Sequence, residues 1–161
     1  MDVVRIGESE AMLSLTVPTK FGPLTLWEDD SMIVRVEWEG DGVDDTPLLR
    51  EAALQLRAYD AGELEVFDLP LRIGGSDFQR AVCSQMSAIP FGETVTYGDI
   101  AKALKQSPQA VGSACGGNPV PVIIPCHRVI GAKGLTGFSG KGGVETKVAL
   151  LRHERAGGFL I

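Results

Sequence analysis

The chain has 161 residues, 44% of them hydrophobic and 22% charged, and a formal net charge of −6. That length fits one moderate domain or two small ones, and the composition excludes a disordered or fibrous chain; no apolar run approaches the roughly 20 residues of a membrane-spanning helix. The net charge argues against a nucleic-acid partner, but residues 1–79 hold 6 Lys/Arg against 17 Asp/Glu (net −11) and residues 80–161 hold 9 against 4 (net +5), so the second half alone is suited to a polyanion.

Met1-Asp2-Val3-Val4-Arg5 lacks the basic start and apolar core of a signal peptide, and the expected location is the cytoplasm. Residues 11–17, 24–28 and 32–38 read as strands. In Leu13-Ser14-Leu15-Thr16-Val17 apolar residues alternate with hydroxyls, and alternation returns in Ile33-Val34-Arg35-Val36-Glu37-Trp38. Phe21-Gly22-Pro23 and Glu28-Asp29-Asp30-Ser31 supply the turns of a three-stranded antiparallel meander with one wet face. Thr46-Pro47 opens a helix with the stripe Leu49, Ala53, Leu56 and Tyr59, and Gly62 ends it. Residues 66–71 look extended, and Gly74-Gly75 is the candidate hinge between an N-terminal domain, 1–75, and a C-terminal one, 76–161.

Ser76-Asp77 caps the next helix, whose inner face holds Phe78, Val82 and Met86, with Cys83 beside it and Pro90 beyond its end. Thr96-Tyr97-Gly98-Asp99 is a capping box opening a helix that ends near Leu104. Ser107-Pro108 starts another that runs to Cys115 and stops at Gly116-Gly117. Two short helices joined by a tight turn make a helix-turn-helix. The second, Gln109-Ala110-Val111-Gly112-Ser113-Ala114-Cys115, carries one long polar side chain, whereas readers of major-groove sequence present Arg, Asn or Gln to base edges. Small residues equally suit helix packing or a close approach to the narrow minor groove, about 6 Å wide.

The most unusual stretch is Ile123-Ile124-Pro125-Cys126-His127-Arg128-Val129-Ile130-Gly131, in which a thiol, an imidazole and a guanidinium stand in an apolar run. Buried polar groups need partners, and a thiol becomes a nucleophile when a base or cation helps it ionise below its usual pKa of about 8.5. Leu150, Leu151 and Glu154 share one helical face, which lets a helix aim a carboxylate inward. Cys83, Cys115 and Cys126 are an odd number without paired spacing and read as reduced thiols. With no Cys-x-x-Cys, and His127 and His153 as the two histidines, no metal site is expected.

Ile89-Pro90-Phe91-Gly92-Glu93-Thr94-Val95-Thr96-Tyr97, Asn118-Pro119-Val120-Pro121, the Pro125-Cys126-His127-Arg128 core, Gly137-Phe138-Ser139-Gly140 and Leu150-Leu151-Arg152-His153-Glu154 occur in an order and spacing that resembles the O6-alkylguanine-DNA alkyltransferases. The match covers Phe78 to Glu154. The resemblance implies an α/β (α+β) protein, with a ribonuclease H-like N-terminal antiparallel sheet plus helix and a mainly helical C-terminal half. It implies direct reversal of O6-alkylguanine lesions in double-stranded DNA by a monomer, with minor-groove binding, nucleotide flipping and no cofactor.

By the same resemblance Cys126 is the alkyl acceptor, His127 its general base through a water, Glu154 the group that orients His127, and Tyr97 the proton donor to guanine N3. Gln109 is the wedge residue, and Ala110, Ala114 and Cys115 belong to the DNA-facing helix. Asn118 ties that helix to the Cys126 loop, Pro121 and Val129 line the pocket, the Ser139 N–H meets O6, and Arg128 is a base-site residue or a structural anchor. A thioether is inert, and no second nucleophile is visible to regenerate the thiol, so each molecule should act once. Gln109 replaces a common arginine and Phe138 a common tyrosine. A lesion recogniser without transfer, or a helix-turn-helix regulator, stays open as an alternative; Cys126 speaks against the first and the small-residue helix against the second.

Overall fold

Alternating side chains set the meander: β1 (Leu13–Val17), β2 (Leu24–Asp29) and β3 (Met32–Trp38) pair antiparallel in chain order, with Val17 opposite Leu24 and Leu24 opposite Trp38. Asp30 and Ser31 take positive φ in the two-residue connection of the second hairpin, as a tight hairpin of matching twist requires. Helix α1 (Pro47–Asp60) is capped by the Thr46 side chain, which accepts from the Leu49 N–H, and buries Leu49, Ala52, Ala53, Leu56 and Tyr59. The computed structural model describes residues 12–132 and 143–156. The chain falls into two compact units, Met1–Ile73 and Gly74–Ile161.

The hydroxyl face of the meander is drier than its alternation suggests. Thr25 and Ser14 are buried, because residues 39–44 fold across them. The Thr16 N–H donates to the Gly42 carbonyl at 3.0 Å, the Ser14 N–H to Asp44 Oδ2 at 2.8 Å, and Thr25 Oγ1 to the Glu39 carbonyl. The Thr25 hydroxyl donates to a backbone carbonyl and the Thr16 hydroxyl accepts from the Gly42 N–H at 2.7 Å, so covering these two costs little. Of the stretch expected to be extended over 66–71, Leu71 makes an isolated parallel bridge to Ile33.

In the second unit the caps fall where the sequence puts them. Ser76 caps α2 (Asp77–Ser87), a Thr96–Asp99 capping box opens α3 (Tyr97–Leu104), and Ser107 with Pro108 opens α4 (Pro108–Gly116). Lys105 in left-handed conformation ends α3, and the Gln106 N–H returns to the Ala101 carbonyl. Gln79 of α2 donates to the Ala114 carbonyl at 2.8 Å and so ties α2 to the end of α4. A 3₁₀ turn over Cys126–Arg128 leads into β5 (Val129–Ile130), which pairs parallel with β4 (Val95–Thr96). At two residues per strand this ribbon is too short to be read from periodicity. It joins the chain leaving the Cys126 turn to the residue before Tyr97. The last described helix, α5 (Val144–His153), lies against that turn and buries Leu150 and Leu151.

Candidate active site

Cys126, His127 and Arg128 are all buried, with His127 fully so. The loop before them sets their direction. The Asn118 side chain donates to the Ile124 carbonyl at 2.9 Å and accepts from the Val120 N–H at 2.9 Å; the Cys126 N–H then donates to the same Ile124 carbonyl at 2.8 Å. Val122 sits at φ 73°, a sterically costly conformation for a β-branched residue, between these two tethers.

Glu154, the residue that ends α5, is shared. Its Oε2 lies 2.7 Å from His127 Nε2, and Arg128 reaches Oε1 through Nε at 2.8 Å and Oε2 through Nη2 at 3.0 Å. Arg128 Nη1 also donates to the Ile89 carbonyl at 2.6 Å, and its guanidinium stands over the Phe91 ring. Here the Ile89–Glu93 stretch finds its purpose. The Glu93 N–H closes a turn onto Pro90, Gly92 takes φ +86°, and a Cβ there would come within 3.4 Å of the Glu154 carbonyl. The turn clamps the cation that clamps the carboxylate.

The electrostatics follow from burial. Desolvation alone would raise the Glu154 pKa, but the hydrogen bonds and charges of His127 and Arg128 more than reverse it, down to about 2. Burial keeps His127 neutral by lowering its pKa against the pull of Glu154. The imidazole therefore donates its Nε2 hydrogen to an ionised carboxylate, and Nδ1 carries the lone pair. Nδ1 is buried and has no hydrogen-bond partner among the described residues. Burial also raises the Cys126 pKa, with the Asn118 side chain and the Lys147 charge pulling it back. The expectation of a thiol ionising below its ordinary range is thus not met in the closed site, where desolvation outweighs its helpers. Cys115 is pushed up to about 12 and Cys83 is also raised, both by burial first.

Of the other residues singled out in the sequence, Tyr97 is the first residue of α3 and is half-buried at the end of the β4–β5 ribbon. Gln109 is exposed at the start of α4, with Ser113 and Gly116 along the same helix. A Cβ built on Gly112 or Gly116 would meet nothing within 4 Å, so no packing among the described residues calls for glycine at either position. Ala114 and Cys115, expected on the DNA-facing side, instead point into the core, because at their spacing they share the helix face of Val111. Arg128 is turned inward onto Glu154 and the Ile89 carbonyl, contacts that an anchor makes. Val129 is buried and Pro121 partly so. Ser139 and the glycines from Gly137 to Gly142 lie outside the described residues.

Sequence reasoning missed Lys147. It is 1% exposed, and its Nζ donates to the Val129 carbonyl at 2.6 Å. The signal was present: Lys147 falls on the Leu150, Leu151 and Glu154 face of α5, where a lysine is out of place.

A helix-turn-helix unit wrapped round a buried Cys-His-Glu constellation defines a class: residues 77–156 match the family model described as 6-O-methylguanine DNA methyltransferase, DNA binding domain. Curated relatives are named methylated-DNA–protein-cysteine methyltransferase. One from Methanosarcina acetivorans is 45% identical over 123 residues, 74% of this chain and 78% of its own. One from Mycobacterium tuberculosis is 41% identical over 152 residues, 88% of this chain and 91% of its own. The crystal structure of the Mycobacterium tuberculosis O6-methylguanine methyltransferase superposes with a TM-score of 0.80 at 39% identity, covering 89% of this chain and 93% of that one. A structure of Mycobacterium tuberculosis OGT in complex with DNA gives 0.77 at 40% identity, covering 89% and 92%. The chain belongs to the methylated-DNA–protein-cysteine methyltransferase family. Among its described residues no helix is long and apolar enough to cross a membrane.

Proposed function

We propose that this protein repairs O6-alkylguanine in double-stranded DNA by moving the alkyl group irreversibly to Cys126, once per molecule. The observation that carries the reading is the state of His127. Its Nε2 is committed to Glu154, so Nδ1 is the ring nitrogen left to take the Cys126 proton, through a bridging water. The sulfur attacks the carbon bonded to O6, the S–C bond forms as the C–O bond breaks, and the electron pair leaves with the guanine. Tyr97 returns a proton to the ring at N3. Asn118 aims the thiol through the Ile124 carbonyl, and Arg128 holds Glu154 ionised so that the imidazole keeps one tautomer.

The nucleotide must leave the duplex to reach a cysteine this buried. The open glycine face of α4 allows the backbone to approach the minor groove, and Gln109 fills the vacated stack. Every group the reaction uses stands on one chain, and the protein acts as a monomer. The test is incubation with a duplex holding one O6-methylguanine, followed by intact mass and peptide mapping. One methyl per molecule on Cys126 is expected, and none on Cys126→Ala. Repeated turnover, or an adduct on Cys83 or Cys115, overturns the reading.

A further inference from the structure

The loop that leads to Cys126 is short of conformational freedom. Pro119, Pro121 and Pro125 restrict φ to a narrow negative range, and Asn118, Val120 and Ile124, each followed by a proline, are biased toward extended backbone. Local chemistry thus leaves Val122 and Ile123 as the place for the chain to reverse, and the Ile124 N–H does return to the Val120 carbonyl at 2.9 Å. Val122 makes that reversal at φ 73°. Glycine is the ordinary residue for this conformation, because a branched Cβ crowds the backbone. Among the described residues the other non-glycine positions with positive φ are Asp30, Ser31, Glu39, Lys105 and Arg155, all polar and exposed. Val122 is the apolar one, and it is 2% exposed. Its buried side chain offsets the strain and also pins it: the backbone can leave the left-handed region only by pulling an apolar group out of the core.

What the reversal sets is the direction of one carbonyl. The Ile124 oxygen accepts from the Asn118 side chain at 2.9 Å and from the Cys126 N–H at 2.8 Å. The second bond closes over Pro125 at φ −82° and ψ 71°, an inverse γ-turn. The direction of Cys126 is therefore tied through Pro125 to the Ile124 carbonyl, and through that carbonyl to Val122. We infer that Val122 is a positioning residue for alkyl transfer: its buried, branched side chain, held at positive φ, locks the loop in the one conformation that aims Cys126. This deepens the reading of Cys126 as acceptor and rests on it. Val122 acts through the Ile124 carbonyl and not by contact with the base.

The experiment compares the wild type with Val122→Gly and Val122→Ile by two readouts. The first is amide hydrogen exchange, which needs no DNA. Glycine accepts positive φ without strain but removes the pin, so the Ile124 and Cys126 N–H groups should exchange about tenfold faster relative to those of Leu150 and Leu151 in α5. A side chain that merely fills space would change all four alike. The second readout is the single-turnover rate of methyl uptake from saturating O6-methylguanine duplex, beside the affinity for unmodified duplex. Val122→Gly should lower that rate about tenfold and leave the affinity within about twofold. Val122→Ile keeps the branch and the burial and should recover both readouts. Unchanged relative exchange in a folded Val122→Gly protein, or a transfer rate equal to the wild type, overturns the proposal. If Val122→Gly does not fold, the wild type decides: its Ile124 and Cys126 amides must be as protected as those of α5, and exchange at the rate of an open loop overturns the proposal too. If the wild type takes up no methyl, the acceptor reading falls instead, and the exchange readout still decides whether Val122 locks the loop.

Discussion

Glu154 shows most clearly what a single residue does here. A carboxylate buried beside Arg128 and His127 has its folded pKa depressed from 4.5 to about 2. Its contribution to stability is therefore complete above pH 4.5 and is lost as the pH falls toward 2, a loss of roughly 3 kcal/mol across that window. Burial of neutral His127 acts in the same direction from the ordinary histidine range downward, since the unfolded chain takes up the proton more readily. Glu154→Gln leaves the Arg128 charge buried without its partner, at a cost of about 3–5 kcal/mol at neutral pH. Urea unfolding at pH 7 and pH 4 checks both effects: the variant should be much less stable at pH 7, and its stability should fall less between the two pH values. A cost under about 1 kcal/mol would show that the pair contributes no more than a surface bridge.

At the scale of elements, α4 separates folding from function. Gly112 lies in a helix interior with open space where a Cβ would be. Gly112→Ala should therefore stabilise the chain by about 0.5–1 kcal/mol, through helix propensity alone. If the open face lies against a duplex, Gly112→Leu should weaken DNA binding at least tenfold while leaving thermal stability near that of the parent. The measurements are melting temperature and fluorescence anisotropy with an unmodified duplex. Binding unchanged by leucine would mean that another surface meets the DNA. The same helix explains why small residues were ambiguous in the sequence: Ala114 and Cys115 are small because they pack, Gly112 and Gly116 are small although no described residue packs where their Cβ would be, and the linear order does not distinguish the two causes.

Across the whole molecule the charge is divided, with −11 in residues 1–79 and +5 in residues 80–161. Binding to DNA should accordingly use few phosphate contacts and show a shallow dependence on salt. Each contact contributes about 0.9 to the slope of log affinity against log salt. Gln109→Arg places a cation at the exposed start of α4 and should steepen that slope by about one contact, tighten binding at low salt and speed transfer from duplex. Transfer from free O6-methylguanine, which needs no flipping, should keep its rate. An equal gain on both substrates would place Gln109 in the pocket rather than in the duplex.

The linear sequence alone determined the elements that rest on local chemistry. Thr46-Pro47, Ser76, the Thr96–Asp99 box and Ser107-Pro108 each satisfy helix N–H groups with a side chain a few residues away, so four helix starts were legible without a fold. The alternation of Leu13 to Val17 did the same for the meander. Cys126, His127 and Arg128 stood out because their residue types conflict with the apolar run around them, and the family resemblance added Glu154 to them. The partners of those residues depend on contacts distant in sequence, and the tertiary structure decided them. Arg128 faces Glu154 because the Ile89–Glu93 turn offers it a carbonyl and a ring. The hydroxyl face of the sheet is dry because residues 39–44 return across it. Lys147 reads as one more solvated lysine until α5 is laid on β5 and its ammonium meets the Val129 carbonyl. Burial turns a thiol, a base, an acid and two cations into a coupled set with displaced pKa values, and burial is a property of the folded chain.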